Sequence, residues 1–116
     1  MDTATIAKDF TAALKAGDFA KAETFWSDDI VSIEAQDSPR RELRGRDAVH
    51  GKGDWWTANH EVHGFETQGP FLNGDQFALS FRMDVTQKAS GQRIQMDEVA
   101  LYTVRDGKIV EERFFY

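Results

Sequence analysis

The chain has no cysteine, only two prolines, and no apolar run approaching the roughly 20 residues of a membrane span. Without cysteine, disulfides and thiolate metal sites are excluded, which suits a reducing cytoplasm. The first residues, Met1-Asp2-Thr3-Ala4-Thr5, lack the basic flank and apolar stretch of a signal peptide. Basic residues are also sparse. The formal net charge is −6, and the one basic cluster, Arg40, Arg41, Arg44 and Arg46, is interrupted by Glu42 and Asp47. Phosphate neutralisation needs a continuous basic face, so neither nucleic acid nor a membrane surface is an expected partner. A chain of 116 residues fits one domain, residues 1–116, burying roughly 65% of its unfolded surface.

Helical spacing of Ile6, Phe10, Ala13 and Leu14 predicts an amphipathic helix over 3–16, with Gly17 able to end it. Asp18 is placed to cap a second helix whose apolar stripe is Ala22, Phe25 and Trp26, stopped by Ser27-Asp28-Asp29. Residues 30–35 read as a first strand, and Gln36 to Arg46 as a polar loop. Asp47 is predicted to cap a third helix reaching Asn59, with Val49, Lys52, Trp56 and Asn59 or His60 on one face. Gly51 and Gly53 each cost that helix about 1 kcal/mol relative to alanine, which suggests close packing.

From residue 61 the apolar period changes from 3.6 to 2. Strands are predicted at 61–68, 77–86, 92–104 and 109–116, with a bulge at Gly69-Pro70 and turns at 73–75, 89–91 and 105–108. Helices followed by a strand meander give an α+β class. In the last two strands both faces carry large side chains: Val99 and Leu101 oppose Met96 and Tyr102, and Phe115 opposes Phe114 and Tyr116. More apolar face is present than the remaining helix can cover. A homodimer through the outer sheet face is the expected solution.

Four segments taken in order carry a family likeness: Phe10-Thr11-Ala12-Ala13-Leu14-Lys15-Ala16-Gly17-Asp18, Asp28-Asp29-Ile30-Val31, Leu43-Arg44-Gly45-Arg46-Asp47-Ala48-Val49, and Tyr102 to Tyr116 with its Asp106-Gly107-Lys108-Ile109 turn. Together they resemble the SnoaL-like family, within the superfamily of ketosteroid isomerase and nuclear transport factor two. The resemblance implies a cone-shaped, cystatin-like fold in which a curved antiparallel sheet wraps the helices and leaves a pocket at its open end. It also implies dimers through the convex face. Its members include isomerases, polyketide cyclases, dehydratases, hydrolases and non-catalytic proteins, so function has to be argued from the site.

Glu34, at the end of the first strand, stands where the resemblance implies a general base; desolvation can raise such a carboxyl into the working range. The resemblance also turns Val110, Glu112, Phe114 and Tyr116 inward. Registering the preceding strand through the Asp106-Gly107 turn brings Asp97, Val99, Leu101 and Thr103 to that face. Val99 then occupies the position of the isomerase's oxyanion-stabilising acid, which argues against steroid isomerisation. A one-residue shift would bring Glu98, Ala100 and Tyr102 inward instead. Glu98 is expected to pair with Arg113 in a structural role.

The segment Trp55 to His63 borders the expected pocket, and His60 or His63 could exchange protons near neutrality. The commoner outcome is one capping histidine and one exposed one. Likewise, one of Trp55 and Trp56 is expected in the core and the other at a surface. Spacing of three between His60 and His63 at a helix-to-strand junction does not make a metal site, and neither a metal nor a cofactor is expected. Glu34, His60, His63 and Glu112 are thus the candidate catalytic residues, and Trp56, Asp97, Val99, Phe114 and Tyr116 the candidate substrate contacts. The expected ligand is a small, largely apolar carbonyl compound undergoing proton abstraction. A non-catalytic ligand-binding or dimerisation module, and a dehydratase or epoxide-hydrolase-like variant, are the alternatives.

Overall fold

A computed structural model describes residues 1–116. Helix α1 (Thr3–Lys15) begins where the Asp2 carboxylate accepts from the Thr5 amide, 2.8 Å away, and it buries Ile6, Ala7, Phe10 and Ala13. Gly17, at φ +72°, turns the chain into α2 (Phe19–Glu23), capped by Asp18. That helix is shorter than its apolar stripe suggests. Trp26 already belongs to β1 (Trp26–Ile33), because the chain here pairs with the last strand rather than continuing helically.

The polar loop holds a short strand, β2 (Glu42–Arg44), paired with the end of β1. Gly45, at φ +91°, swings the chain into α3 (Arg46–Asn59), so Asp47 lies in the first turn and is not the cap. Val49 is buried, and Trp56 packs against the core from the same face. Gly51 and Gly53 do not serve close packing: a Cβ at either would meet nothing within 4 Å.

Strands β3 (His60–Asn73), β4 (Gln76–Gln87), β5 (Arg93–Arg105) and β6 (Lys108–Phe115) form the expected meander. A break in register between Gln68 and Phe71 accommodates Gly69-Pro70. The sheet order is β2-β1-β6-β5-β4-β3, and β1 runs parallel to β6. The sheet is therefore mixed, where alternation alone had suggested a purely antiparallel one. Alternation reports which face a residue takes and is blind to strand direction.

Phe77, Leu79, Phe81, Met83 and Val85 of β4 are all buried on the concave face, as their spacing predicts. Phe77 stacks on Tyr102 at 4.9 Å, and Phe10 of α1 meets both rings edge-on. This aromatic knot ties helix to sheet, and truncating such a ring costs about 3–5 kcal/mol. At the other end of the sheet the helices give out. Val62 and Phe65 stand on the same face as buried Val85 and Met83, yet remain exposed, so the concave face is open there. No helix is long and apolar enough to cross a membrane.

Candidate functional site

Cross-strand pairing sets the inner face as a series of rows. Met83 lies beside Met96, Phe81 beside Glu98, Leu79 beside Ala100, and Phe77 beside Tyr102. Ala100 in turn faces Phe114, and Tyr102 faces Glu112. The inward set of β5 is therefore Glu98, Ala100 and Tyr102, the shifted alternative. Asp97 and Val99, predicted to contact substrate, lie on the outer face, where Asp97 pairs with Arg82 at 3.1 Å and Val99 is 41% exposed.

The physical reason is a bulge. Between Thr103 and Val104 the register slips, so that Thr103 opposes Glu111 while Val104 opposes Ile109. Val110 is the extra residue, which puts Ile109 and Glu112 on the same face at a spacing of three. A register counted back from the turn without that residue is off by one. The Val99 argument about a missing acid falls with it, since Glu98 now faces inward.

The centre of the site is a side chain whose role the sequence did not disclose. Lys52, on the α3 face shared with Val49 and Trp56, sends its ammonium under the sheet to Glu34 Oε1, 2.6 Å away, and to Glu112 Oε2 at 3.5 Å. It also donates to Ser32 Oγ and lies 4.7 Å from the centre of the Phe114 ring. Ser32, fully buried, donates to Glu112 Oε2 at 2.7 Å. Ser32 and Glu112 are partners across the parallel β1–β6 pair, so the sheet fixes this bond. Tyr116 donates to the other Glu34 oxygen at 3.1 Å. Ser32 and Lys52 could have been found from sequence only by knowing that β1 lies beside β6 with α3 across it.

Burial pushes Glu112 upward from its ordinary value, against the pull of Lys52 and the Ser32 hydrogen bond. Glu98 is pushed up to about 7, first by burial, then by the charge of Glu34, with Lys52 opposing and Glu112 adding. Tyr102 is 3% exposed, and burial followed by the charges of Glu112 and Glu98 raises it well above the ordinary phenol value. Tyr116 is raised as well, by burial and then by Glu34. All four acids are held in their protonated forms more firmly than in water, the signature of a desolvated site with surplus negative charge.

The other candidates fall outside this cluster. His60 caps α3 through Nδ1 against the Trp56 carbonyl (2.8 Å) and stacks on the Trp56 ring at 4.3 Å, one turn beyond Lys52. His63 is exposed and bonds Thr86 Oγ1 at 2.7 Å. One histidine caps and the other is exposed, as expected. Trp56 packs on the core while Trp55 is exposed, 5.9 Å from the Arg40 guanidinium. Arg113 is paired with Glu111 at 3.7 Å, so the expected Glu98–Arg113 pair is not formed, because the two residues face opposite ways. Of the sequence candidates, Glu34, Glu112, Phe114 and Tyr116 are brought together; Trp56 and His60 border them; His63, Asp97 and Val99 are not part of the site.

The family model of the SnoaL-like domain matches residues 1–116. A Mesorhizobium loti protein described as a proposed SnoaL-like polyketide cyclase, with the added label carbohydrate phosphatase, is 56% identical over 100% of both chains, with a TM-score of 0.96. An NTF2-like protein of Burkholderia thailandensis superposes with a TM-score of 0.85 at 20% identity, covering 99% of this chain and 90% of that one. A proposed isomerase of Bacillus subtilis superposes with a TM-score of 0.77 at 15% identity, covering 98% and 88%. The last two likenesses are of fold alone. Among curated proteins none matches.

Proposed function

The chain belongs to the SnoaL-like domain family, and from that premise we propose that it is an acid–base enzyme acting on small, largely apolar carbonyl compounds, with Glu98 as the base. One observation carries this reading. Glu98 faces the concave side beside Phe81, burial and neighbouring charge rather than hydrogen bonding set its proton affinity, and that affinity is poised at about 7. A base so poised is half ionised at neutral pH and still basic enough to accept a proton from carbon. Glu34, the base suggested by sequence, is committed to Lys52 and Tyr116 instead.

In the proposed step, Glu98 takes the proton from the carbon next to the carbonyl. The C–H electron pair moves into the new C=C bond, and negative charge develops on the carbonyl oxygen. Tyr102, held in donor form by burial, is the group suited to that oxygen. Return of the proton to another carbon would make an isomerase; attack of the enolate on a second carbonyl would make a cyclase.

Deuterium uptake next to the carbonyl of a simple ketone tests the reading. Uptake is expected to rise as pH passes through about 7 and to fall by about 100-fold or more in Glu98→Gln. Glu34→Gln is expected to lose far less. Full uptake in Glu98→Gln would remove Glu98 as the base.

We further propose that two copies associate through the outer sheet face, where Val99, Leu101 and Phe115 lie apart from the core. A stable interface needs about 800 Å² from each partner. Sedimentation of the wild type is expected to give a dimer and of Val99→Lys a monomer; a monomeric wild type at high concentration would exclude it.

A further inference from the structure

We propose that Arg40 and Arg41, with the Trp55 ring against Arg40, form an anion-binding rim, and that the ligand is a carbonyl compound carrying a carboxylate at its far end. The inference rests on the acid–base reading of the interior and adds the end of the ligand that stays outside it. Four arginines cluster between positions 40 and 46. Arg44 is paired with Glu42 at 3.2 Å, and Arg46 bonds the Trp26 carbonyl at 2.8 Å and lies 4.0 Å from Asp28. Arg40 and Arg41 pair with no carboxylate, although the chain carries twenty acids against fourteen bases. The tight turn Ser38-Pro39-Arg40-Arg41, closed from the Arg41 amide to the Ser38 carbonyl at 3.0 Å, leaves both side chains exposed.

The turn and α3 meet at Glu34. The Glu34 amide donates to the Arg41 carbonyl at 2.8 Å, and Arg41 Nε donates back to the Glu34 carbonyl at 3.3 Å. The Glu34 carboxylate is held by Lys52, and Trp55 lies one turn along α3 from Lys52. The Arg40 guanidinium lies 5.9 Å from the centre of the Trp55 ring, which is 52% exposed. His60 meets Trp55 edge-on at 6.4 Å and stacks on Trp56, so aromatic surface continues from this rim to the core. A guanidinium resting on an indole face keeps the N–H fork along its edge free, and that fork matches the two oxygens of a carboxylate.

The interior has the opposite charge. Glu34, Glu112 and the inward-facing Glu98 have one ammonium among them, that of Lys52. A carboxylate is repelled from such a site and attracted to the rim, whereas a neutral carbonyl end meets no such barrier. The two charge zones therefore orient the ligand, carbonyl inward and anion outward, and select it over a neutral analogue.

Three probes test this on the full chain by calorimetry and NMR: para-acetylbenzoate, its neutral methyl ester, and benzoate. Para-acetylbenzoate is expected to bind at least about fivefold more tightly than the ester at about 20 mM salt, with the advantage shrinking to about twofold or less at about 500 mM. Arg40→Gln should remove most of that advantage and leave ester binding unchanged. Arg44→Gln removes a guanidinium already paired with Glu42 and should change neither. Equal binding of acid and ester, an advantage that survives Arg40→Gln, or an equal loss in Arg44→Gln overturns the inference. Benzoate lacks the carbonyl end and should bind more weakly than para-acetylbenzoate; equal binding overturns the orientation. Arg40-dependent preference for the acid without deuterium uptake at its acetyl group would support the rim and remove the acid–base reading. Uptake from both ketones with no preference for the acid would do the reverse.

Discussion

Lys52 Nζ lies 2.6 Å from Glu34 Oε1, a contact that joins the middle of α3 to the end of β1. Around it, Ser32 and Glu112 complete a set in which one cation holds two carboxylates and a hydroxyl. Removing the cation leaves both acids enclosed without a counter-charge.

Lys52→Met is therefore expected to destabilise the fold by about 3 kcal/mol, measured by urea unfolding. Adding Glu112→Gln should restore part of the loss, because it removes the more deeply enclosed charge. A loss below about 1 kcal/mol would mean that the cluster is solvated like a surface ion pair.

Glu98 gives stability a pH dependence of defined sign. The folded chain holds its proton more tightly than the unfolded chain, so its contribution is full below the ordinary 4.5 and declines as pH rises through about 7. Melting temperatures of wild type and Glu98→Gln, compared from about pH 4 to pH 8, should converge at the acid end, with the variant ahead at the alkaline end. Parallel curves would contradict the assignment.

His50 acts in a higher window. Its Nδ1 lies 2.6 Å from Glu23 Oε1 and its Nε2 3.1 Å from Asp54 Oδ2, linking α2 to α3. Glu23, then Asp54, raise its proton affinity above the ordinary 6.5. The link contributes fully below 6.5 and weakens as pH climbs through the raised value. His50→Gln should therefore flatten the alkaline fall in melting temperature and leave the Glu98 window untouched; an unchanged fall would count against the link.

The glycines of α3 and β3 should respond in opposite directions. Gly51 has open space where a Cβ would stand, so Gly51→Ala is expected to stabilise by about 0.5–1 kcal/mol. Gly69, at φ +117°, would bring a Cβ to 2.9 Å from the Ala78 carbonyl oxygen, and Gly69→Ala should destabilise by more than 1 kcal/mol, roughly. Chemical denaturation of both variants checks the pair.

What could be read from the chain follows from how local each feature is. The β4 alternation, the α3 face of Val49, Lys52 and Trp56, and the capping by Asp18 depend on near neighbours, and each is found in place. The parallel pairing of β1 with β6 joins residues about 80 apart, as Ser32 and Glu112 illustrate, and no local pattern encodes it. Inserting Val110 as a bulge moved the inward face of β5 from Asp97 to Glu98, so one uncounted residue changed the identity of the central acid. Lys52 went unassigned because a lysine on a helix face ordinarily reaches solvent; only the converging acids draw it inward.

The most direct measurement is a carbon-13 titration of the glutamate side-chain carboxyls in wild type and Glu98→Gln. One resonance, absent from the variant, is expected to titrate at about 7 and to move when a small ketone is added. If every glutamate titrates in the ordinary carboxylate range, or the near-neutral resonance persists in Glu98→Gln, Glu98 is not the poised base and the account of the site fails.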